Sequence, residues 1–259
     1  MNFVVIATPR TGSTHLTNLL HLHDDVLCHG EIFHPKRVFV RWPKERKTPD
    51  AMAQLLEIRR RDPHAFLQTI LAQNGGYVHV GFKIFAGHND DILEDLIRNP
   101  SIRKIVLWRQ NMLASYSSSL IAHQTGRGDA RPTEFHQPKI EFRAKNFLTY
   151  CERVSGFYRS VFERLASARQ FSFVVYYEQI NDPWLFSNVL SFIGANATGA
   201  KTEGRRTKQN SSAMLSRFSN PEKVSEFLQQ HEMMGWLHES AVSLGTIRTC
   251  ATPERDDRP

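Results

Sequence analysis

The chain has 259 residues, 41% hydrophobic and 23% charged, with 33 Lys plus Arg against 26 Asp plus Glu for a formal net charge of +7. That mix excludes disordered, collagen-like and coiled-coil chains, and the positive balance favours anionic partners without choosing among nucleotides, phosphates, sulfated sugars and nucleic acid. Cys28, Cys151 and Cys250 form no CxxC pair, which points to a reducing compartment.

Phe3-Val4-Val5-Ile6-Ala7 is a continuous apolar run, the pattern of a strand buried on both faces of a parallel sheet. It and residues 171–177 are the longest such runs, far short of the roughly 18–20 residues of a bilayer-crossing helix. With no basic segment ahead of the first run, a soluble cytoplasmic protein is expected.

A turn follows, and over residues 13–21 Leu16, Leu19 and Leu20 share one helical face. Helices are predicted over 50–61, 63–73, 90–98 and 111–123, and strands over 78–85, 104–108 and 172–177. The clearest helix is predicted over 140–165. There Ile140, Ala144, Phe147, Cys151, Val154, Tyr158, Val161 and Leu165 repeat every three or four residues, the stripe of a helix facing a core.

Strands separated by helices predict an α/β fold, a doubly wound, mainly parallel sheet flanked by helices. Its ligands should bind at the carboxyl ends of the strands. A single domain is expected over 1–245, with a flexible tail over 246–259. Residues 124–139 carry glycine, proline and charge without apolar period, so they read as a surface loop; with 32–47 they are expected to shape a substrate pocket. Arg127-Gly128-Asp129 inside that loop reads as chance.

The turn after the first strand, Pro9-Arg10-Thr11-Gly12-Ser13-Thr14, has the makings of a phosphate cradle. Backbone N–H groups in such a turn converge on one point, and the new helix adds its free N–H groups and dipole. Ser13 and Thr14 can add hydroxyl donors and Arg10 a positive charge. A nucleoside-triphosphate P-loop, G-x-x-x-x-G-K-[ST], would need a lysine where Ser13 stands and a glycine in place of Ala7. The turn is therefore P-loop-like without the usual equipment for ATP hydrolysis. His21, His23, Asp24, Asp25, Cys28, His29, Glu31 and His34 lie near one another in sequence but match no metal-ligand spacing, so no metal is expected.

The hexapeptide resembles the 5′-phosphosulfate loop of sulfotransferases that use 3′-phosphoadenosine 5′-phosphosulfate, P-[KR]-[ST]-G-[ST]-[ST]. The family's second signature, an arginine leaving a strand with a serine eight residues on, is matched by Arg109 and Ser117. The resemblance implies that this pair holds the donor's 3′-phosphate. Tyr177, in Val174-Val175-Tyr176-Tyr177-Glu178, matches the tyrosine that approaches the adenine, although Gln179-Ile180 depart from the family's Asp-Leu. Arg205-Arg206-Thr207-Lys208-Gln209-Asn210 resembles the basic segment that closes over the nucleotide, which assigns Lys208 and Gln209 to donor binding. Gly81-Phe82-Lys83-Ile84-Phe85 resembles a strand whose lysine nears the reacting sulfate.

The likeness lies nearest to bacterial nodulation-factor and glycolipid sulfotransferases. It implies transfer of a sulfuryl group from this donor to a hydroxyl of a carbohydrate or glycolipid. Arg10, Thr11, Gly12, Ser13 and Thr14 would grip the phosphosulfate, with Arg10 and Lys83 neutralising charge in the reaction. Cys28-His29-Gly30-Glu31 matches the segment that carries the base in carbohydrate-type enzymes, so Glu31 is the candidate base. His88 stands as a second candidate, less well placed relative to Lys83. Two other readings stay open on the residues alone: a P-loop kinase or other nucleotide-binding protein, and a basic module for polyanions. Aromatics do not interleave with the basic residues as in nucleic-acid readers, so no nucleic-acid partner is expected.

Overall fold

The central strand of the sheet is β1 (Asn2–Ala7), whose Phe3, Val4, Val5, Ile6 and Ala7 have no exposed surface. Around it the computed structural model, which describes residues 1–126, 138–198 and 213–238, places β2 (Val26–Cys28), β3 (His79–Phe85), β4 (Ile102–Trp108) and β5 (Ser172–Tyr176). The order is β2-β3-β1-β4-β5 and every pairing is parallel. Five strands in one direction, joined through helices, are the doubly wound sheet that the sequence predicts. The helices are α1 (Ser13–His21), α2 (Pro49–Arg61), α3 (Pro63–Ala72), α4 (Asp90–Arg98), α5 (Met112–Thr125), α6 (Ala144–Ser167), α7 (Pro183–Ile193) and α8 (Pro221–Gln230).

Register sets which side chains share a face. Val5 lies opposite Lys83 and Ile105, and Ala7 opposite Phe85 and Leu107. Phe3, Val5, Ala7, Ile105, Leu107 and Val175 form one core with Leu16, Leu19 and Leu20 of α1 and Phe186, Val189, Leu190 and Ile193 of α7. Each buried Val, Leu, Ile or Phe among them contributes roughly 1.5–3 kcal/mol over exposure. Gly81 is glycine because the Phe3 ring opposite it fills the space a Cβ would need.

The helix starts follow local chemistry. Thr48, Asp62, Asn89, Asn111 and Asp182 each accept a backbone N–H of the first turn of α2, α3, α4, α5 and α7, a cap worth about 1 kcal/mol apiece. Pro49, Pro63 and Pro183 add pre-set backbone at α2, α3 and α7. α1 departs from this: its N-cap is Gly12, with no side-chain cap and no acidic residue in the first turn.

The chain divides into two compact units, Met1–Arg109 with Val161–Arg206 and Gln110–Ser160 with Thr207–Pro259. The first holds the sheet. In the second, Phe142, Phe147, Phe218, Phe227 and Trp236 form a chain of tilted and edge-on ring contacts, and Asn111 Nδ2 donates to the carbonyls of Trp236 (3.0 Å) and His238 (3.1 Å).

The long helix keeps its predicted stripe from Phe147 to Leu165 but begins at Ala144. Ile140 instead forms an isolated bridge with Phe218, its N–H donating to the Arg217 carbonyl at 2.9 Å. Among the described residues no helix is long and apolar enough to cross a membrane. The Arg127-Gly128-Asp129 triplet and the tail 246–259 lie outside the described residues.

Candidate active site

Of two neighbouring strands, β1 continues into a connection towards β2 on one side of the sheet, and β4 lies on its other side. Their carboxyl ends flank the point where connections diverge, the place where open α/β sheets bind ligands. The turn after Ala7 and Arg109 after Trp108 stand there together.

The turn is tightly made. Thr11 Oγ1 donates to the Thr8 carbonyl at 2.8 Å, and the Gly12 carbonyl accepts from His15 and Leu16. Arg10 and Gly12 both have left-handed backbone, φ 69° and 79°, a conformation glycine adopts freely and a side-chain-bearing residue at a cost of roughly 1–2 kcal/mol. At Gly12 a Cβ would also fall 2.7 Å from Tyr177 Cε2 and closer still to Cδ2. The tyrosine therefore lies flush against the glycine bend.

Arg109 completes this end. It is 5% exposed, its Nη1 donates to the Arg10 carbonyl at 3.0 Å, and its guanidinium carbon lies 4.2 Å from the centre of the Tyr177 ring. A guanidinium over a ring face and on a carbonyl is held in orientation by both.

On the other side of the turn stands Lys83. It shares the sheet face of Val5 and α1, is 3% exposed, and sends Nζ 2.7 Å from Thr14 Oγ1 and 3.4 Å from Ser13 Oγ. The same ammonium pairs with Glu31 Oε1 at 3.1 Å. A lysine absent from the turn itself thus arrives at the start of α1 from the adjacent strand.

Glu31 follows β2 and faces His88 as well, Oε2 lying 3.7 Å from Nε2. His88 Nδ1 accepts the Phe85 N–H at 3.3 Å, so the neutral ring carries its proton on the nitrogen that faces Glu31. Burial above all, with the charges of His34, Lys83 and Arg59 opposing the help of Glu31, brings the His88 pKa down to about 4. The structure brings His88 nearer to Glu31 and Lys83 than its place in sequence suggests, because Gly87 (φ 76°) folds the chain back after β3. Cys28, two positions ahead of Gly30, is no nucleophile: burial pushes its thiol up to about 12.

Arg10, Thr11, Gly12, Ser13, Thr14, Glu31, Lys83, Arg109 and Tyr177 thus all belong to the unit built on the sheet. Ser117 belongs to the other unit, where it is buried on α5; its Oγ donates to the Ala114 carbonyl and accepts from Arg217 Nη1, both at 3.1 Å. Lys208 and Gln209 lie outside the described residues. Sequence reasoning missed Arg217, 3% exposed, and Arg59, whose neighbours Arg60 and Arg61 make it look like part of a solvated charge run. No group of three or more potential metal ligands occurs among the described residues.

No protein-family model matches the chain. It is 26% identical over 213 residues to nodulation protein H of Rhizobium meliloti (strain 1021), spanning 80% of this chain and 83% of that protein. It is also 26% identical over 200 residues to nodulation protein H of Rhizobium tropici, spanning 75% and 76%. Among solved structures, a sulfotransferase from Alicyclobacillus acidocaldarius superposes with a TM-score of 0.49 at 15% identity, covering 91% of this chain and 98% of that one. A retinol dehydratase in complex with retinol and PAP gives 0.40 at 12% identity, covering 89% and 80%.

Proposed function

We infer that this chain, a sulfotransferase, moves a sulfuryl group from 3′-phosphoadenosine 5′-phosphosulfate to a hydroxyl of a carbohydrate or glycolipid in the cytoplasm. The observation that carries the reading is the meeting of Lys83 Nζ, Thr14 and Ser13 at the uncapped start of α1, with the Glu31 carboxylate on the same ammonium. A cation, two hydroxyls and free N–H groups suit a transferring anionic group, and a carboxylate beside them suits removal of a proton from an alcohol.

The first turn of α1 suits a phosphate, as it holds no carboxylate to repel one. Arg109, fixed on Arg10 and Tyr177, suits the donor's second phosphate, and Tyr177 its base. A Glu31 oxygen accepts the acceptor's hydroxyl proton. The hydroxyl oxygen bonds to sulfur as the bond from sulfur to the 5′-phosphate oxygen breaks, and the electron pair of that bond leaves with adenosine 3′,5′-bisphosphate. Lys83 and Arg10 stabilise the charge that develops on the departing oxygen, the larger part of catalysis in transfers of this type.

The Lys83 ammonium also links the two halves of the site, because it bonds Thr14 at the start of α1 and the Glu31 carboxylate at once.

The test is calorimetric titration with adenosine 3′,5′-bisphosphate and with AMP, followed by a screen of radiolabelled donor against oligosaccharides and glycolipids. The bisphosphate should bind at least tenfold more tightly than AMP, and Arg109→Ala should abolish the difference. Equal affinities in the unsubstituted chain would overturn the reading, since nothing would then recognise the 3′-phosphate.

A further inference from the structure

Glu31 stands on a loop rather than in the sheet, so something must hold it. The chain from Gly30 to Phe39 closes on itself: Gly30 N donates to the Phe39 carbonyl at 2.9 Å, and the Glu31 carbonyl accepts from His34 (3.2 Å) and Phe39 (3.4 Å). Its link to the sheet is Lys83 N on the Gly30 carbonyl, 3.2 Å. Into this loop runs the side chain of Arg59 from the last turn of α2, 8% exposed, on the buried face it shares with Leu55. Arg59 Nη1 donates to the carbonyls of Ile32 (2.6 Å) and Arg37 (2.9 Å), and Nη2 to that of Pro35 (3.4 Å).

Burying a cation on carbonyl dipoles is costly, and a helix end has no structural need of it. The rigid fork of a guanidinium fixes three acceptors relative to one another, which a single ammonium does not do. The first of those acceptors, Ile32, is the residue after Glu31. Arg59 is also one of the charges that bear on His88, the imidazole facing Glu31.

We propose that Arg59 is a positioning residue for the transfer reaction: by gripping the Ile32, Pro35 and Arg37 carbonyls it holds the Glu31 carboxylate against Lys83 and His88. The inference rests on the reading of Glu31 as the base.

The experiment measures sulfate release from radiolabelled 3′-phosphoadenosine 5′-phosphosulfate, with water in the acceptor's place, beside calorimetric affinity for adenosine 3′,5′-bisphosphate. A displacement of about 1 Å at a reacting group can cost on the order of 10²-fold in rate. Arg59→Ala should therefore lower release roughly 10- to 100-fold while bisphosphate affinity stays within about twofold, because the turn after β1 and Arg109 are untouched. Arg59→Lys, which keeps the charge, should lose as much and answers the same question should the alanine variant not fold. Millimolar guanidinium should restore part of the activity of Arg59→Ala, and in a Glu31→Gln background the second substitution should remove nothing further.

Full release by both Arg59 variants, or bisphosphate affinity falling in step with turnover, overturns the proposal. So does an equal further loss in the Glu31→Gln background. Glu31→Gln active by itself would sink the base reading and this inference with it, whereas an active Arg59→Ala beside an inactive Glu31→Gln sinks the clamp alone.

Discussion

Gly12→Ala puts the cradle to a quantitative test. The substitution adds one methyl group at a residue with φ 79°, where a side chain costs roughly 1–2 kcal/mol. The new carbon would lie 2.7 Å from Tyr177 Cε2 and nearer to Cδ2, so the ring must withdraw by about 1 Å to reach ordinary contact. Overpacking of this kind adds about 1–3 kcal/mol, for a total of roughly 2–5 kcal/mol. The displaced ring is the one on which the Arg109 guanidinium rests at 4.2 Å, a contact of about 0.5–2 kcal/mol. Thermal melting and calorimetric titration with adenosine 3′,5′-bisphosphate read the two effects separately. The variant should melt several degrees lower and bind the bisphosphate at least tenfold more weakly. Tyr177→Ala in the Gly12→Ala background should recover the overpacking part of the stability loss but not the affinity. A Gly12→Ala protein that melts and binds like the unsubstituted chain would refute the account of the turn.

Glu31→Gln should reduce sulfate transfer by roughly 10²–10⁴-fold with bisphosphate affinity nearly unchanged, measured by turnover and calorimetry on the same preparation. Acid should destabilise the fold through His29 and His88, each carried down by burial from 6.5 to about 4. The unfolded chain binds their protons first, so their contribution is whole above pH 6.5 and is lost as pH falls through 4, up to roughly 3 kcal/mol for each. Urea unfolding at pH 7 and pH 4.5 should show this slope, and His88→Asn should flatten it; equal stability at the two pH values would contradict the burial argument.

β1 is legible in the sequence because a short, continuous apolar run suits a strand buried on both faces, and β3, β4 and β5 are legible as short runs rich in β-branched and aromatic residues. β2 is not, since Val26–Cys28 offers three residues between polar neighbours, too few for any period. The first turn is legible because Gly12 and two hydroxyl residues stand between a strand and a helix. Lys83 is visible as a lysine inside an apolar strand. Its company is less so: the approach of His88 to Glu31 depends on a backbone reversal at Gly87 that spacing alone does not give. Arg59 is hidden in Arg59-Arg60-Arg61, where only the helical phase with Leu55 tells the buried member from its exposed neighbours. Ile140 continues the apolar rhythm of α6 while lying outside it: it is buried beside its bridge to Phe218, in extended alternation with Phe142, and its distance of four residues from Ala144 coincides with a helical step.

The pairing of Val5 with Lys83 has an evolutionary corollary. The ammonium and the glycine bend are carried by separate segments whose alignment is locked by interstrand bonding, and a slip of one residue would swing the lysine to the far side of the sheet. The spacing of the ammonium from the start of α1 is thereby insulated from change in the connecting loops. A lineage can rebuild those loops while these groups keep their dimensions.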